Sequence, residues 1–103
     1  MNFHLKHIPN RTKSPRDNGL TMVMDKGLSI RESENMISSA SKHIDIVKLG
    51  FGTAFLTEDL LKKIKLYQNA GFKVYFGCTL FEAFIIRDMF QEYLELIKRF
   101  DMD

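Results

Sequence analysis

The chain has 103 residues, 45% hydrophobic and 27% charged, with a formal net charge of +2. That length allows one domain or one piece of a domain, and the apolar content is enough to oppose the entropy of ordering, which excludes a disordered polyelectrolyte. The longest apolar runs are four residues, as in Ala83-Phe84-Ile85-Ile86, whereas about 20 are needed to span a bilayer, so no membrane segment is expected.

Residues 1–17 hold Lys6, Arg11, Lys13 and Arg16, with no acid before Asp17. The stretch has no apolar signal core, so export by that route is not expected. Its only aromatic is Phe3. Nucleic-acid surfaces interleave basic and stacking residues, so no nucleic-acid partner is expected, and 1–17 reads as a mobile, solvated arm ahead of a folded region 18–103.

Leu20 to Met24 forms the first predicted strand, between Asn18-Gly19 and Gly27. Ser29 and Glu32 have capping-box spacing, and Ile30, Met36, Ile37 and Ala40 give the following helix an apolar stripe. Ile44 to Leu49 is the second strand, closed by Gly50-Phe51-Gly52-Thr53. Thr57 is the expected cap of the next helix, with Glu58 and Asp59 in its first turn and Leu60, Leu61, Ile64 and Tyr67 on its apolar face; Gly71 suits its end. Lys73 to Phe76 is the third strand, followed by Gly77-Cys78-Thr79. Thr79 and Glu82 repeat the capping-box spacing and open a helical region to Phe100. Its apolar stripe changes phase near Asp88, which leaves one long helix or two consecutive ones open.

Strand, turn and helix alternate three times, the pattern of an α/β fold with parallel strands. The strands are nearly continuous apolar runs, which predicts burial on both faces. Functional groups in such folds collect at the carboxyl ends of the strands. Lys48 interrupts an apolar strand there: it either holds a phosphate or carboxylate or pairs with a carboxylate such as Asp25. The Gly50–Thr53 turn offers amides and a hydroxyl to an anion, but Phe55 stands where a dinucleotide fingerprint needs its third glycine. Asp25 and Glu82 are candidate Mg²⁺ ligands or proton-transfer groups; Glu82 also serves a capping box with Thr79, and Asp25 could instead cap or pair with Lys26. His4, His7 and His43 make no metal set, and the single cysteine, Cys78, fits a reducing, cytoplasmic setting.

Three segments, Thr21-Met22-Val23-Met24-Asp25-Lys26-Gly27, Asp45 to Thr53 and Lys73 to Glu82, resemble in order and spacing the first three strand-end motifs of the phosphosulfolactate synthase family. The resemblance covers residues 18 to 100. It implies the first three βα units of a (β/α)₈ TIM barrel. It further implies Mg²⁺-dependent addition of sulfite to phosphoenolpyruvate, giving phosphosulfolactate for coenzyme M biosynthesis. Carried over by position, it marks Lys26 and Lys48 as catalytic, Gly50, Gly52, Thr53 and Thr79 as substrate-binding, and Asp25 and Glu82 as metal-binding.

Cys78 stands where the family usually has glycine, and a side chain there would narrow the turn. The Ile8-Pro9-Asn10-Arg11-Thr12 stretch resembles bacterial members outside methanogens, where coenzyme M is not expected. Other relatives are plant heat-stress-associated proteins, so the alternative is a non-catalytic stress or interaction protein. A whole barrel takes about 250 residues and eight strands. Three strands leave a sheet edge and an inner face open, which predicts a fragment inactive by itself or a homo-oligomer that covers them.

Overall fold

The computed structural model describes residues 2–103. Three strands, β1 (Met22–Asp25), β2 (Ile46–Leu49) and β3 (Lys73–Phe76), form a parallel sheet in sequence order. Helix α1 (Ile30–Ala40) follows β1, α2 (Leu60–Asn69) follows β2, and α3 (Cys78–Ile85) and α4 (Phe90–Arg99) follow β3. The expected alternation is therefore present, with the first strand beginning two residues later than Leu20.

Helix starts are set by local hydrogen bonding, and they differ. At α1 the capping box forms: the Glu32 amide donates to Ser29 Oγ at 3.1 Å and the Ser29 amide to Glu32 Oε1 at 3.1 Å. At α2 the expected Thr57 cap is absent. The Thr57 hydroxyl instead donates to the Thr53 carbonyl at 2.7 Å, closing the short 3₁₀ turn Thr53–Phe55, and the left-handed residue Asp59 precedes the helix. A threonine hydroxyl satisfies a nearby carbonyl as readily as a helix amide, so the spacing did not decide its partner. The Thr79–Glu82 box also fails to form, because α3 starts at Cys78 with Gly77 as its cap and Thr79 is already helical. The region after β3 is two helices. Asp88 takes a φ of 56° between them, and the Met89 amide turns back to the Phe84 carbonyl at 2.9 Å.

Alternate strand residues point to opposite faces. Val23, Asp25, Val47, Leu49, Val74 and Phe76 face the helices and join a core with Ile44, Ala54, Ile64, Tyr67, Phe72 and Leu80. From α4, Tyr93 and Phe100 pack on Phe76 with ring centroids at 6.4 and 6.3 Å. The other face carries Met22, Met24, Ile46, Lys48, Lys73 and Tyr75, and it is not covered: Met22 is 47% exposed. Burial on both faces is thus corrected to burial on one. Continuous apolar character marks a face suited to being covered, but all the core-forming helix residues of this chain lie on the opposite side.

Residues 11–16 are fastened to the fold. Arg16 pairs with Asp45 at 2.8 Å and donates to the Thr12 and Lys42 carbonyls, each at 2.9 Å. Arg11 reaches the Gly19 carbonyl and Thr21 Oγ1 at 3.0 Å. A guanidinium carries five donors in a planar fork, so one side chain can fasten several backbone groups at once.

Candidate functional site

The register aligns Asp25 with Leu49 and Leu49 with Phe76, so the three strands end at one level. The turns that leave them touch in sequence. A Cβ placed on Gly27 would lie 3.6 Å from the Thr53 methyl, and one on Gly52 would lie 3.8 Å from the Thr79 methyl. A Cβ on Gly77 would lie 2.9 Å from Lys48 Cε. Thr53 thus lies on the glycine of the turn before it and Thr79, in the first turn of α3, on Gly52, while Gly77 leaves room for a lysine stem. Gly50 also serves space: a side chain there would collide with Met24 Cγ at 2.7 Å, and its amide donates to the Asp25 carbonyl at 2.8 Å.

Lys48 lies half-buried on the open face and forms no ion pair among the described residues. The pairing with Asp25 weighed above does not occur, since the two side chains lie on opposite faces. The Lys48 stem crosses Gly77, the cap residue of α3, which supplies no side-chain acceptor to the first-turn amides. An unpaired ammonium beside an uncapped helix N-terminus is an arrangement that favours an anion. Lys26 is exposed on the β1–α1 turn, with Nζ 5.7 Å from the Phe51 ring centroid. Thr53 donates its hydroxyl to the Gly50 carbonyl at 2.8 Å, leaving its oxygen lone pairs to accept. Thr79, Cys78 and Glu82 are exposed on α3. Cys78 is the first residue of that helix, so its side chain extends from a helical position and not from the turn itself.

Asp25 does not sit at the mouth. It is fully buried on the helix side, where Oδ1 accepts the Gly27 and Leu28 amides at 2.8 and 2.7 Å. Oδ2 accepts the Tyr67 hydroxyl at 2.7 Å and the Lys63 ammonium at 2.6 Å. Burial opposes ionisation, but the Lys63 ammonium, the two amides and the Tyr67 hydroxyl outweigh it and hold the carboxyl below its ordinary value. Lys63 is itself buried and also donates to the Leu28 carbonyl at 2.6 Å. Burial, helped by the Asp25 charge, pushes the Tyr67 phenol up, so it remains a neutral donor. Ser33 Oγ lies 2.9 Å from the Tyr67 oxygen and donates to the Ser29 carbonyl at 2.8 Å. No group of three or more His, Cys, Asp or Glu side chains suited to a metal ion occurs among the described residues.

Lys63 and Ser33 are not singled out by sequence, and Tyr67 reads there as part of an apolar helix face. The available signal was spacing: Lys63 follows Leu60 by three and precedes Tyr67 by four, so a lysine falls on the apolar face of its helix.

The family described as (2R)-phospho-3-sulfolactate synthase (ComA) matches residues 9–103. A phosphosulfolactate synthase of Bacillus subtilis (strain 168) is 36% identical over 93 residues, covering 90% of this chain and 37% of the relative. One from Methanothermobacter thermautotrophicus is 34% identical over 84% of this chain and 34% of its own length. One from Methanocaldococcus jannaschii is 44% identical over 74% and 31%. The chain therefore spans about a third of the length of the curated relatives it matches.

Proposed function

The chain belongs to the phosphosulfolactate synthase family, and from that membership we propose that it supplies the first three βα units of a (β/α)₈ barrel. The whole protein adds sulfite to phosphoenolpyruvate to give phosphosulfolactate. The observation that carries the site assignment is the unpaired Lys48 beside the uncapped N-terminus of α3. Phosphoenolpyruvate carries a phosphate and a carboxylate, and an ammonium beside aligned helix amides attracts either.

In the addition, the sulfur lone pair of sulfite forms a bond to the methylene carbon. The π electrons move toward the carboxylate, and a proton at the adjacent carbon completes the product. Lys48 and the first-turn amides of α3 hold the substrate anion. Lys26 lies at the rim, where its charge opposes the charge that builds on the carboxylate. Thr53 and Thr79 contribute hydroxyls, and Gly50 and Gly52 permit close backbone approach.

Of the two carboxylates expected to hold magnesium, Glu82 is the one left free to do so among the described residues. Asp25 has both oxygens filled by protein donors, whereas Glu82 is exposed on α3. Mg²⁺ is commonly held by one or two carboxylates together with substrate phosphate oxygens, and when bound it would neutralise phosphate charge.

The test is formation of phosphosulfolactate by the full-length gene product from sulfite, phosphoenolpyruvate and Mg²⁺, followed by phosphorus NMR. Lys48→Ala is expected to lower kcat/KM by about 100-fold or more. Unchanged turnover and affinity in that variant would remove Lys48 from the site, and no product from the full-length protein would leave the non-catalytic reading.

A further inference from the structure

The β1–α1 turn, from Lys26 to Ser29, is gripped from below by a side-chain network that no step of the proposed reaction uses. Asp25 Oδ1 takes the Gly27 and Leu28 amides, and Lys63 takes the Leu28 carbonyl. The Leu28 residue is thus held at both its amide and its carbonyl. Lys63 closes the ring by its 2.6 Å contact with Asp25 Oδ2, where Tyr67 also donates at 2.7 Å. Gly27 completes the turn at a φ of 109°, a conformation that glycine adopts at little cost because it has no side chain.

Packing does not account for this arrangement. An apolar side chain of similar volume would fill the space of Lys63 without desolvating a charge, and a buried ion pair gives little net stability over such a replacement. What the network does supply is geometry at the point where the chain leaves β1, and Lys26 is the first residue of that turn. We infer that Lys63 and Tyr67 on α2 are positioning residues for Lys26, acting through Asp25 to fix the turn from which Lys26 reaches toward Phe51. This rests on the reading that Lys26 serves the reaction.

A double-mutant cycle on kcat/KM in the full-length protein separates positioning from general support. Lys63→Met is expected to lower kcat/KM about tenfold in the wild-type background and to have no effect once Lys26→Ala is present. Tyr67→Phe should follow the same pattern with a smaller loss, and it carries the cycle if Lys63→Met does not fold. Losses that multiply undiminished in the Lys26→Ala background would overturn the inference.

If the wild-type protein forms no product, the proposed reaction fails separately, and amide exchange decides the positioning role. Exchange at Gly27 and Leu28 should then quicken in Tyr67→Phe or Lys63→Met by about tenfold or more beyond any change shared by the core amides of Val47 and Ile64, with the Lys26 side-chain resonances losing the influence of the Phe51 ring. Unchanged exchange and resonances would overturn it.

Discussion

Two aspartates at opposite ends of the sheet use the same chemistry to different ends. Asp25, at the carboxyl end of β1, accepts two backbone amides and pairs with Lys63, and the two side chains are 0% and 1% exposed. Asp45, just before β2, accepts the Thr21 amide at 2.8 Å and pairs with Arg16, their side chains 8% and 5% exposed. The donors to Asp25 come from its own turn and from a core helix. The cation on Asp45 comes from the segment ahead of the fold. One pair therefore belongs to the core and shapes the site-bearing turn, whereas the other fastens the segment that precedes β1. Where the cation originates, more than the distance between charges, decides how far the damage spreads when a pair is broken.

Removing one partner from each pair is the sharpest way to break this comparison. Lys63→Ala should cost about 3–5 kcal/mol in urea unfolding, because the Asp25 charge is left buried with its cation gone. A loss no larger than that of Arg16→Ala would erase the distinction. Tyr67→Phe removes one hydroxyl from the same carboxylate and should cost about 1–3 kcal/mol. Arg16→Ala should cost less than Lys63→Ala, about 1–3 kcal/mol, because Asp45 loses its cation but keeps the Thr21 amide, while limited proteolysis shows faster cleavage ahead of residue 17.

The smallest effect is that of pH on the arm. The Thr21 amide is the main cause that holds the Asp45 carboxyl below its ordinary value, with burial opposing and Arg16 assisting. A carboxyl depressed in the folded state contributes stability that is complete above its unfolded pKa and is lost as pH falls through the folded one. Protection of the arm from proteolysis should therefore persist at neutral pH and fade on acidification through and below the ordinary carboxylate range. Asp45→Asn should abolish that dependence.

The sequence made the α/β alternation legible because β-rich runs, glycine turns and amphipathic stripes are local signals, and the Ser29–Glu32 cap held for the same reason. The Thr57 and Thr79–Glu82 caps failed where hydroxyl spacing allowed more than one backbone partner. Lys48 was found because a charge in an apolar strand stands out, yet the truly buried lysine was Lys63. It lies in a run with Lys62 and Lys65 that resembles an ordinary solvated helix face. The partner of Asp25 is likewise 38 positions away in sequence, and only the packing of α2 against the first turn brings it near. Long-range pairing of this kind leaves no mark on local composition.

Gly77 offers a different handle on the molecule. The atom that a methyl group there would strike hardest is Lys48 Cε at 2.9 Å, with the Leu49 carbonyl next at 3.1 Å. The first is the far end of a flexible side chain, which can swing aside while the strands stay in place. Gly77→Ala would therefore displace the Lys48 ammonium first, and it would also press on the Leu49 carbonyl at the end of β2. Residues 48 and 77 are thus coupled through space: a side chain larger than hydrogen at 77 takes the room that the Lys48 stem now occupies.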